Sequence, residues 1–356
     1  MLIEIHVIQN HSPANLNRDD LGAPKTCWFG GVLRCRISSQ CIKRSIRKSK
    51  QFATLLGGIR TRRLARLIAK KAGCRETDVS KILNKCGIGD GKAKKQKNNS
   101  EEIEEDITSG DSKALIYTTN EAINKIAELL KDKPKSSSDN NITKDIAKII
   151  TEETAVPDMA LSGRMLEPKK SDNIWNKTTT VEAALQVAHA ISTHEARPEV
   201  DYYVATDDIL GNDAGAAFLD EAMFSSACFY KYFSVNWETL VCNLKGHGEL
   251  AAHTIGAFIC AAALVNPAGK QNSFAAHNLP DGILVEIRDT PINYANAFAK
   301  PVSIDKRDIV SQSIAQLSQY IYDLDEGYYK PEKRFWFSPN LRYTLLRMLA
   351  NKNIIN

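Results

Sequence analysis

Apolar and polar residues alternate at the start of the chain, where Leu2, Ile3, Ile5, Val7 and Ile8 surround Glu4 and His6. This period of two predicts a half-buried β-strand over 1–9. A polar loop over 11–24 follows, and Phe29-Gly30-Gly31 leads into a short strand over 32–37. On that strand Arg34 and Arg36 share one face, and Leu33, Cys35 and Ile37 share the other. The pattern then turns helical over 39–51. Ile42 and Ile46 lie four apart on the apolar side, and Gln40, Lys43, Arg44 and Arg47 form a polar, cationic stripe. Ser38 is placed to cap the helix.

Helical patterns rich in Arg and Lys continue over 52–86, then again over 114–131 and 142–153. Two polar segments, 87–112 and 132–141, read as surface loops, so 52–153 is a helical insertion. Residues 178–195 fit a helix with Val181, Ala184, Leu185, Ala188 and Ile191 inside. Two β-prone stretches, 200–210 and 221–235, flank a Gly/Asn/Asp turn at 211–215 and predict a long hairpin. A buried helix over 250–265, a basic loop over 266–274, a strand over 282–288 and helices over 305–323 and 339–351 complete the chain. No internal repeat is visible. With the insertion set aside, the order approximates βαββαβ, an α+β, ferredoxin-like arrangement that RNA-recognition modules also use.

Composition adds exclusions. The 356 residues are 43% hydrophobic and 25% charged, which suits a globular chain of two or three domains' worth and excludes collagen-like and coiled-coil readings. The longest strongly apolar run, 254–265, is too short for a membrane span of roughly 20 residues. The N-terminal MLIEIHVIQN has no basic n-region or cleavage site, so no secretory signal is expected. Eight cysteines without a CxxC spacing predict reduced thiols in a cytoplasmic protein, with neither disulfides nor a zinc site.

Charge changes the picture more. The formal net charge is +5, but residues 1–97 hold 22 Lys and Arg against 6 acids, a net of +16, and the remainder carries −11. No acid occurs between positions 21 and 75, and seven Lys and Arg lie in 29–50. Without acids to pair with, this stripe predicts contact with a polyanion, nucleic acid first. The free N–H groups at Ser38-Ser39 suit a phosphate, and Gln40 and the serines suit phosphate or a 2′-hydroxyl. The bland alternative is a solvated amphipathic helix. The loop at Gly269, Lys270, Gln271 and Asn272 is a weaker signal, since Gly269 permits close backbone approach. Met165, beside Gly163 and Arg164, is either core or an apolar wedge against a base. Tyr202 and Tyr203 face opposite ways on a strand, so one face of the hairpin can offer a stacking ring.

Catalytic signatures are weak. The paired acids Asp19-Asp20 and Asp207-Asp208 have no nearby His or Glu at ligand spacing, and there is no nucleophile elbow, Walker loop or G-x-G-x-x-G. No cofactor, metal or catalytic residue is expected.

The segments HVIQNHSPANLNRDDLGAPK and FGGVLRCRISSQCIKRSIRKS, followed in order by ALSGRM, AHAISTHE, VDYYVATDD, FSSACFYKY and GKQNSFAAHN, resemble the CasC (Cse-four-type, Cas-seven-family) backbone subunits of type I-E CRISPR Cascade. The likeness covers almost the whole chain and is weakest over 52–155. It implies an RNA-recognition-like palm over 1–51 and 179–356, a helical fingers insertion over 52–178, and a thumb hairpin at about 197–224, the right-hand shape of RAMP proteins. It also implies head-to-tail stacking of copies along a CRISPR guide RNA, with one guide base flipped at regular intervals. The intervening guide pairs with a target DNA strand, and the other partners are the remaining Cascade subunits, with no membrane. Guide contacts carry over to Arg18, Lys25, Ser38, Gln40, Lys43, Arg44 and Arg47. Wedge roles carry over to Met165 and Tyr203, the latter standing where the family has Phe, and Lys270 and Gln271 fall on a guide-facing loop. Related type III backbone subunits cleave RNA with an Asp of an N-terminal loop, which leaves Asp19 and Asp20 as the basis of a rival, metal-dependent ribonuclease reading.

Overall fold

A computed structural model describes residues 1–88, 115–131, 140–168, 174–175, 179–205, 218–305, 308–327 and 330–337. Most of the loops expected at 87–112 and 132–141, the turn at 211–215 and the helix expected at 339–351 lie outside the described residues. In chain order the elements are β1 (Leu2–Ala14), β2 (Thr26–Phe29), β3 (Val32–Ile37), α1 (Ser39–Arg47), β4 (Gly58–Thr61), α2 (Leu64–Ala72), α3 (Glu76–Lys85), β5 (Ile116–Thr119), α4 (Asn120–Lys131), α5 (Asn140–Glu152) and α6 (Pro157–Ser162). They continue as β6 (Leu185–Val187), β7 (Ala190–Ser192), β8 (Glu199–Ala205), β9 (Phe218–Asn236), α7 (Trp237–Asn243), α8 (Gly248–Leu264), α9 (Gln271–Phe274), β10 (Gly282–Arg288), α10 (Ile309–Gly327) and β11 (Lys333–Phe337).

The chain divides into two compact units. The first comprises Met1–Thr54, Leu185–Trp237 and Ala252–Asn356, and the second comprises Leu55–Ala184 and Glu238–Ala251. The first unit is built on a sheet in the order β11-β10-β1-β9-β7-β3-β2, with β6 and β8 also paired to β9. Neighbours β10, β1, β9 and β7 are all antiparallel. In sequence they are strand, helix (α1), strand (β7), strand (β9), helix (α8), strand (β10). The expected helix over 178–195 is not formed. Leu185–Val187 and Ala190–Ser192 are short strands that pair with β9, and Ile191 sits opposite Tyr230. Their apolar residues fit a helical period, but the hydrogen bonds go to the neighbouring strand.

β1 is also more buried than its alternation suggested. It pairs on both sides, Glu4 facing Ser234 and Glu286, and every residue from Ile3 to Gln9 is buried. Glu4 and His6 on this strand meet distant partners. The Tyr232 hydroxyl donates to Glu4, Arg288 Nε donates to Glu286 at 2.8 Å, and His6 Nδ1 lies 2.8 Å from the Tyr230 hydroxyl. Burial raises the Glu4 carboxyl to about 6, although hydrogen bonds from Tyr232 and the Ile292 N–H oppose the rise. Burial, then Arg288 and Arg334, holds His6 well below the usual histidine range. On this face Ile8, Tyr294, Phe298, Leu317 and Ile321 close a core under α10, and on the other Phe233 meets Phe258 edge-on at 5.6 Å.

In the second unit α2, α3, α4 and α5 bury Leu64, Ile68, Leu83, Ile123, Ile126, Ile146 and Ile150 together. The two-stranded sheet β4–β5 was not foreseen in that helical stretch. Asp158 braces it, accepting from the Gly57 and Gly58 N–H groups at 3.2 and 3.0 Å and from the Tyr117 hydroxyl at 2.9 Å.

Candidate nucleic-acid interface

The first unit gathers most of the basic residues marked in the sequence. Ser38 is extended, with ψ 146°, and its hydroxyl accepts the Cys41 N–H at 3.3 Å, so it caps α1. Ile42 and Ile46 anchor the helix. That leaves Gln40 and Arg44 exposed, with Lys43 and Arg47 half-buried. The first turn carries no acid, so its N–H groups are uncompensated by charge.

The preceding polar loop is held by its own side chains. Asn17 Oδ1 accepts the Ser38 N–H at 2.9 Å, and Asn17 O accepts the Lys25 N–H at 2.8 Å. Asn15 Nδ2 donates to Gly22 O at 2.9 Å and Met223 O at 2.8 Å. Asp19 Oδ1 accepts the Leu21 and Ala23 N–H groups at 3.0 and 2.9 Å, which closes a turn. Arg18 and Pro24 bridge across that turn.

Three segments distant in sequence line one open cleft of about 590 Å³. These are Leu16–Asp20 with Gly22, then Cys41, Arg44 and Ser45 of α1, then Ala268 and Gly269. Gly269 fits because it has no Cβ: one would lie 2.5 Å from Leu16 O and 2.7 Å from Asn15 O. The loop bearing it is fastened to β1, since Gln9 Nε2 donates to Asn266 Oδ1 at 2.9 Å and to Asn278 O at 2.7 Å. Gln271 Nε2 donates back to Pro267 O at 2.9 Å, so this side chain shapes its own loop. Lys270 adopts φ 49° and contributes to holding the exposed Asp220 carboxyl below the usual range, after hydrogen bonds from the Tyr203 hydroxyl and the Glu221 N–H.

Arg34 and Arg36 part company. Arg36 Nη1 lies 2.9 Å from His189 Nδ1 at an exposed position, and burial, Arg36 and Lys25 together push that imidazole down. Arg34 is fully buried and, among the described residues, makes no ion pair. Its guanidinium donates to the carbonyls of Phe29 at 3.1 Å, Ser192 at 3.1 Å and Phe298 at 2.7 Å. It is a clamp inside the fold and does not belong to the cationic surface.

The hairpin of β8 and β9 pairs Val200 with Met223, Tyr202 with Glu221 and Tyr203 with Asp220. Tyr202, at 68% exposure, shares its face with Val200 and Val204, while Tyr203, at 41%, donates its hydroxyl to Asp220 at 2.8 Å. In the second unit Met165 is 78% exposed, whereas adjoining Arg164 is buried and donates to Thr179 O at 3.0 Å and Ile150 O at 2.9 Å. Nothing in the residue pattern marks Asn17 as the tie between loop and helix, or His11 as a buried group beside the basic face; both sit in a stretch that reads only as polar loop.

The model of the family described as CT1975-like protein matches residues 3–350. No curated protein matches the chain. Among solved structures, a chain of a complex described as "CRISPR RNA-guided surveillance complex, pre-nicking" is 27% identical. The match covers 99% of this chain and 100% of that one, with a TM-score of 0.80. A chain of a second "CRISPR RNA-guided surveillance complex" is 23% identical over 99% of each, with a TM-score of 0.59, a likeness of fold alone. Among the described residues no helix is long and apolar enough to cross a membrane.

Proposed function

The chain belongs to the CT1975-like protein family, and from that membership and the geometry of the cleft we propose that it is a CRISPR-RNA-binding backbone subunit of a type I-E Cascade complex. The observation that carries this reading is the convergence of Arg18, Arg44 and the 268–269 loop on one cleft, within a region that has no acid between positions 21 and 75. The 27% identical chain from a CRISPR RNA-guided surveillance complex supports it across the full length.

In this reading the first unit is a palm of the RNA-recognition kind, β8–β9 is the thumb and the helical unit is the fingers. Copies stack head to tail in the cytoplasm along the guide. Arg18, Lys25, Lys43, Arg44 and Arg47 follow its phosphates, and Ser38, Gln40, Lys270 and Gln271 line its path. Met165 and Tyr203 each act as a wedge against guide bases, and the guide between kinks pairs with target DNA. Binding is electrostatic and largely independent of guide sequence. The role is not enzymatic: Asp19 spends Oδ1 on two backbone N–H groups, which suits a turn brace.

Mass measurement of the co-purified complex, with sequencing of its RNA, tests the proposal. Several copies on one repeat-derived RNA is the expected result, and a monomer on unrelated RNA overturns it. Asp19 and Asp20 do line the cleft, which keeps the ribonuclease reading open to a direct assay. Regularly spaced Mg²⁺-dependent cleavage of complementary RNA, lost in Asp20→Ala, would replace the non-catalytic role.

A further inference from the structure

Arg36 Nη1 and His189 Nδ1 lie 2.9 Å apart in the first unit, and neither residue has a part in the guide path described above. The Arg36 N–H donates to Lys25 O at 2.8 Å, which carries the β2–β3 pairing one residue past Thr26 and Cys35. Lys25 and Arg36 therefore stand opposite each other on one face of the sheet. On its other flank Arg36 is paired with Ile191 of β7, and His189, two residues before Ile191, belongs to the same face. The imidazole is exposed, and Lys25 and Arg36 are half-buried.

The contact fixes where the ring carries its proton. A guanidinium only donates, so the bond from Arg36 Nη1 makes Nδ1 the acceptor and puts the proton on Nε2. A second proton, on Nδ1, would face the guanidinium. Burial, then Arg36, then Lys25, accordingly hold this imidazole below the usual histidine range. The Cys27 thiol on the same face is pushed up by burial and is neutral too. His189 thus offers one N–H without carrying charge. Arg36 spends its Nε on Thr26 O at 3.2 Å. Among the described residues nothing accepts from His189 Nε2, Arg36 Nη2 or Lys25 Nζ, and no acid pairs with them. Three donors without an acceptor, two of them charged, match the oxygens of a phosphate. A base edge or a sugar hydroxyl would leave the charges unmatched.

We propose that Lys25, Arg36 and His189 form a subsite for one backbone phosphate of the bound strand, with His189 as a neutral donor held in its tautomer by Arg36. The proposal rests on the guide-binding reading above. The test compares the full chain as wild type, His189→Leu, His189→Gln and Lys25→Ala in affinity for one single-stranded RNA over a range of salt. His189→Leu is expected to weaken binding by about tenfold or more, the worth of one hydrogen bond to a charged group. Its salt slope stays that of wild type, because no charge is lost. His189→Gln, whose amide N–H replaces Nε2–H, is expected to recover most of the affinity. Lys25→Ala is expected to flatten the slope by about 0.7. Wild-type affinity in His189→Leu overturns the subsite, and a flatter slope in that variant overturns the neutral donor. A wild type that binds no RNA overturns the guide-binding reading itself. A second measurement needs no variant: nitrogen NMR of the histidine rings at pH 7, alone, with RNA and with inorganic phosphate. His189 is expected to keep its proton on Nε2 throughout, and that nitrogen to shift on adding RNA. A doubly protonated ring in the complex overturns the neutral donor. A shift with inorganic phosphate but none with RNA assigns the site to a small anion and overturns the strand subsite.

Discussion

Asn17 Oδ1 accepts the backbone N–H of Ser38 at 2.9 Å, so one loop side chain fixes the residue that caps α1. The same Asn17 holds the Lys25 N–H through its carbonyl and lines the large cleft. Asn17→Ala removes the side-chain bond alone. Urea denaturation is expected to show a loss of about 1 kcal/mol, the net worth of one such bond, and RNA affinity is expected to fall with it because α1 and the 16–22 loop lose their shared anchor.

Charge on α1 predicts a salt signature. For single strands, log K falls with log salt by about 0.7 per phosphate neutralised. Lys43→Ala with Arg47→Ala is therefore expected to flatten the slope by roughly 1 to 1.5. Fluorescence anisotropy from low to moderate salt reads it, and an unchanged slope removes this stripe from the interface.

Arg34 predicts the opposite outcome from its neighbours. Its loss strands three carbonyls, two of them in buried contacts, and hydrogen bonds to a charged group are worth about 1.5–3 kcal/mol each. Arg34→Met is expected to lose at least about 3 kcal/mol of stability, with the salt slope of whatever folded protein remains unchanged. Arg36→Met, at a half-buried position where Nε donates to Thr26 O at 3.2 Å, is expected to cost only about 1 kcal/mol.

These two arginines show how far the sequence could be read. Alternation over 32–37 put both on one face, correctly for a strand, but could not say which end of that face lies under Phe298, more than 250 positions away. β1 and α1 are legible because each carries its own period, and β10 because its apolar run is as short as a buried strand. The stretch 185–192 reads as helix because two three-residue strands are too short to show a period of two, and their apolar residues fit a helical wheel. Polar Glu4 and His6 promised a wet face because their partners, Glu286, Arg288 and Tyr294, arrive from the far end of the chain. The basic stripe was visible; the cleft that its Arg44 lines needed three segments to meet.

Buried titratable groups predict stability against pH with opposite signs. His11 falls from an ordinary 6.5 to about 3 on folding, so its contribution is complete above 6.5 and is lost as pH falls toward 3. Between pH 7 and 5 that amounts to about 2 kcal/mol. Glu4 rises from 4.5 to about 6, so its contribution is present below 4.5 and is lost as pH rises through 6. Over the same interval it is worth about 1 kcal/mol in the other direction. Denaturation at pH 7 and 5 is expected to show His11→Leu losing less stability than wild type on acidification, and Glu4→Gln losing more.

Gly269 offers the sharpest separation of binding from folding. A Cβ there would stand 2.5 Å from Leu16 O and 2.7 Å from Asn15 O, closer than any real contact, and both atoms are backbone of the 15–22 loop. Neither can rotate aside, so Gly269→Ala has to push the 266–274 loop away from the cleft wall. The base of that loop remains tied to β1 through Gln9, Asn266 and Asn278. The displacement is thus confined to the tip, where Ala268 and Lys270 sit. Overpacking of this kind costs about 1–3 kcal/mol, which a sheet-centred unit survives. RNA affinity is expected to drop by more than Lys270→Ala alone causes, because the wall moves as well as the charge. The comparison is made by anisotropy, with circular dichroism to confirm the fold. Equal affinity of Gly269→Ala and wild type would place the RNA path elsewhere on the molecule.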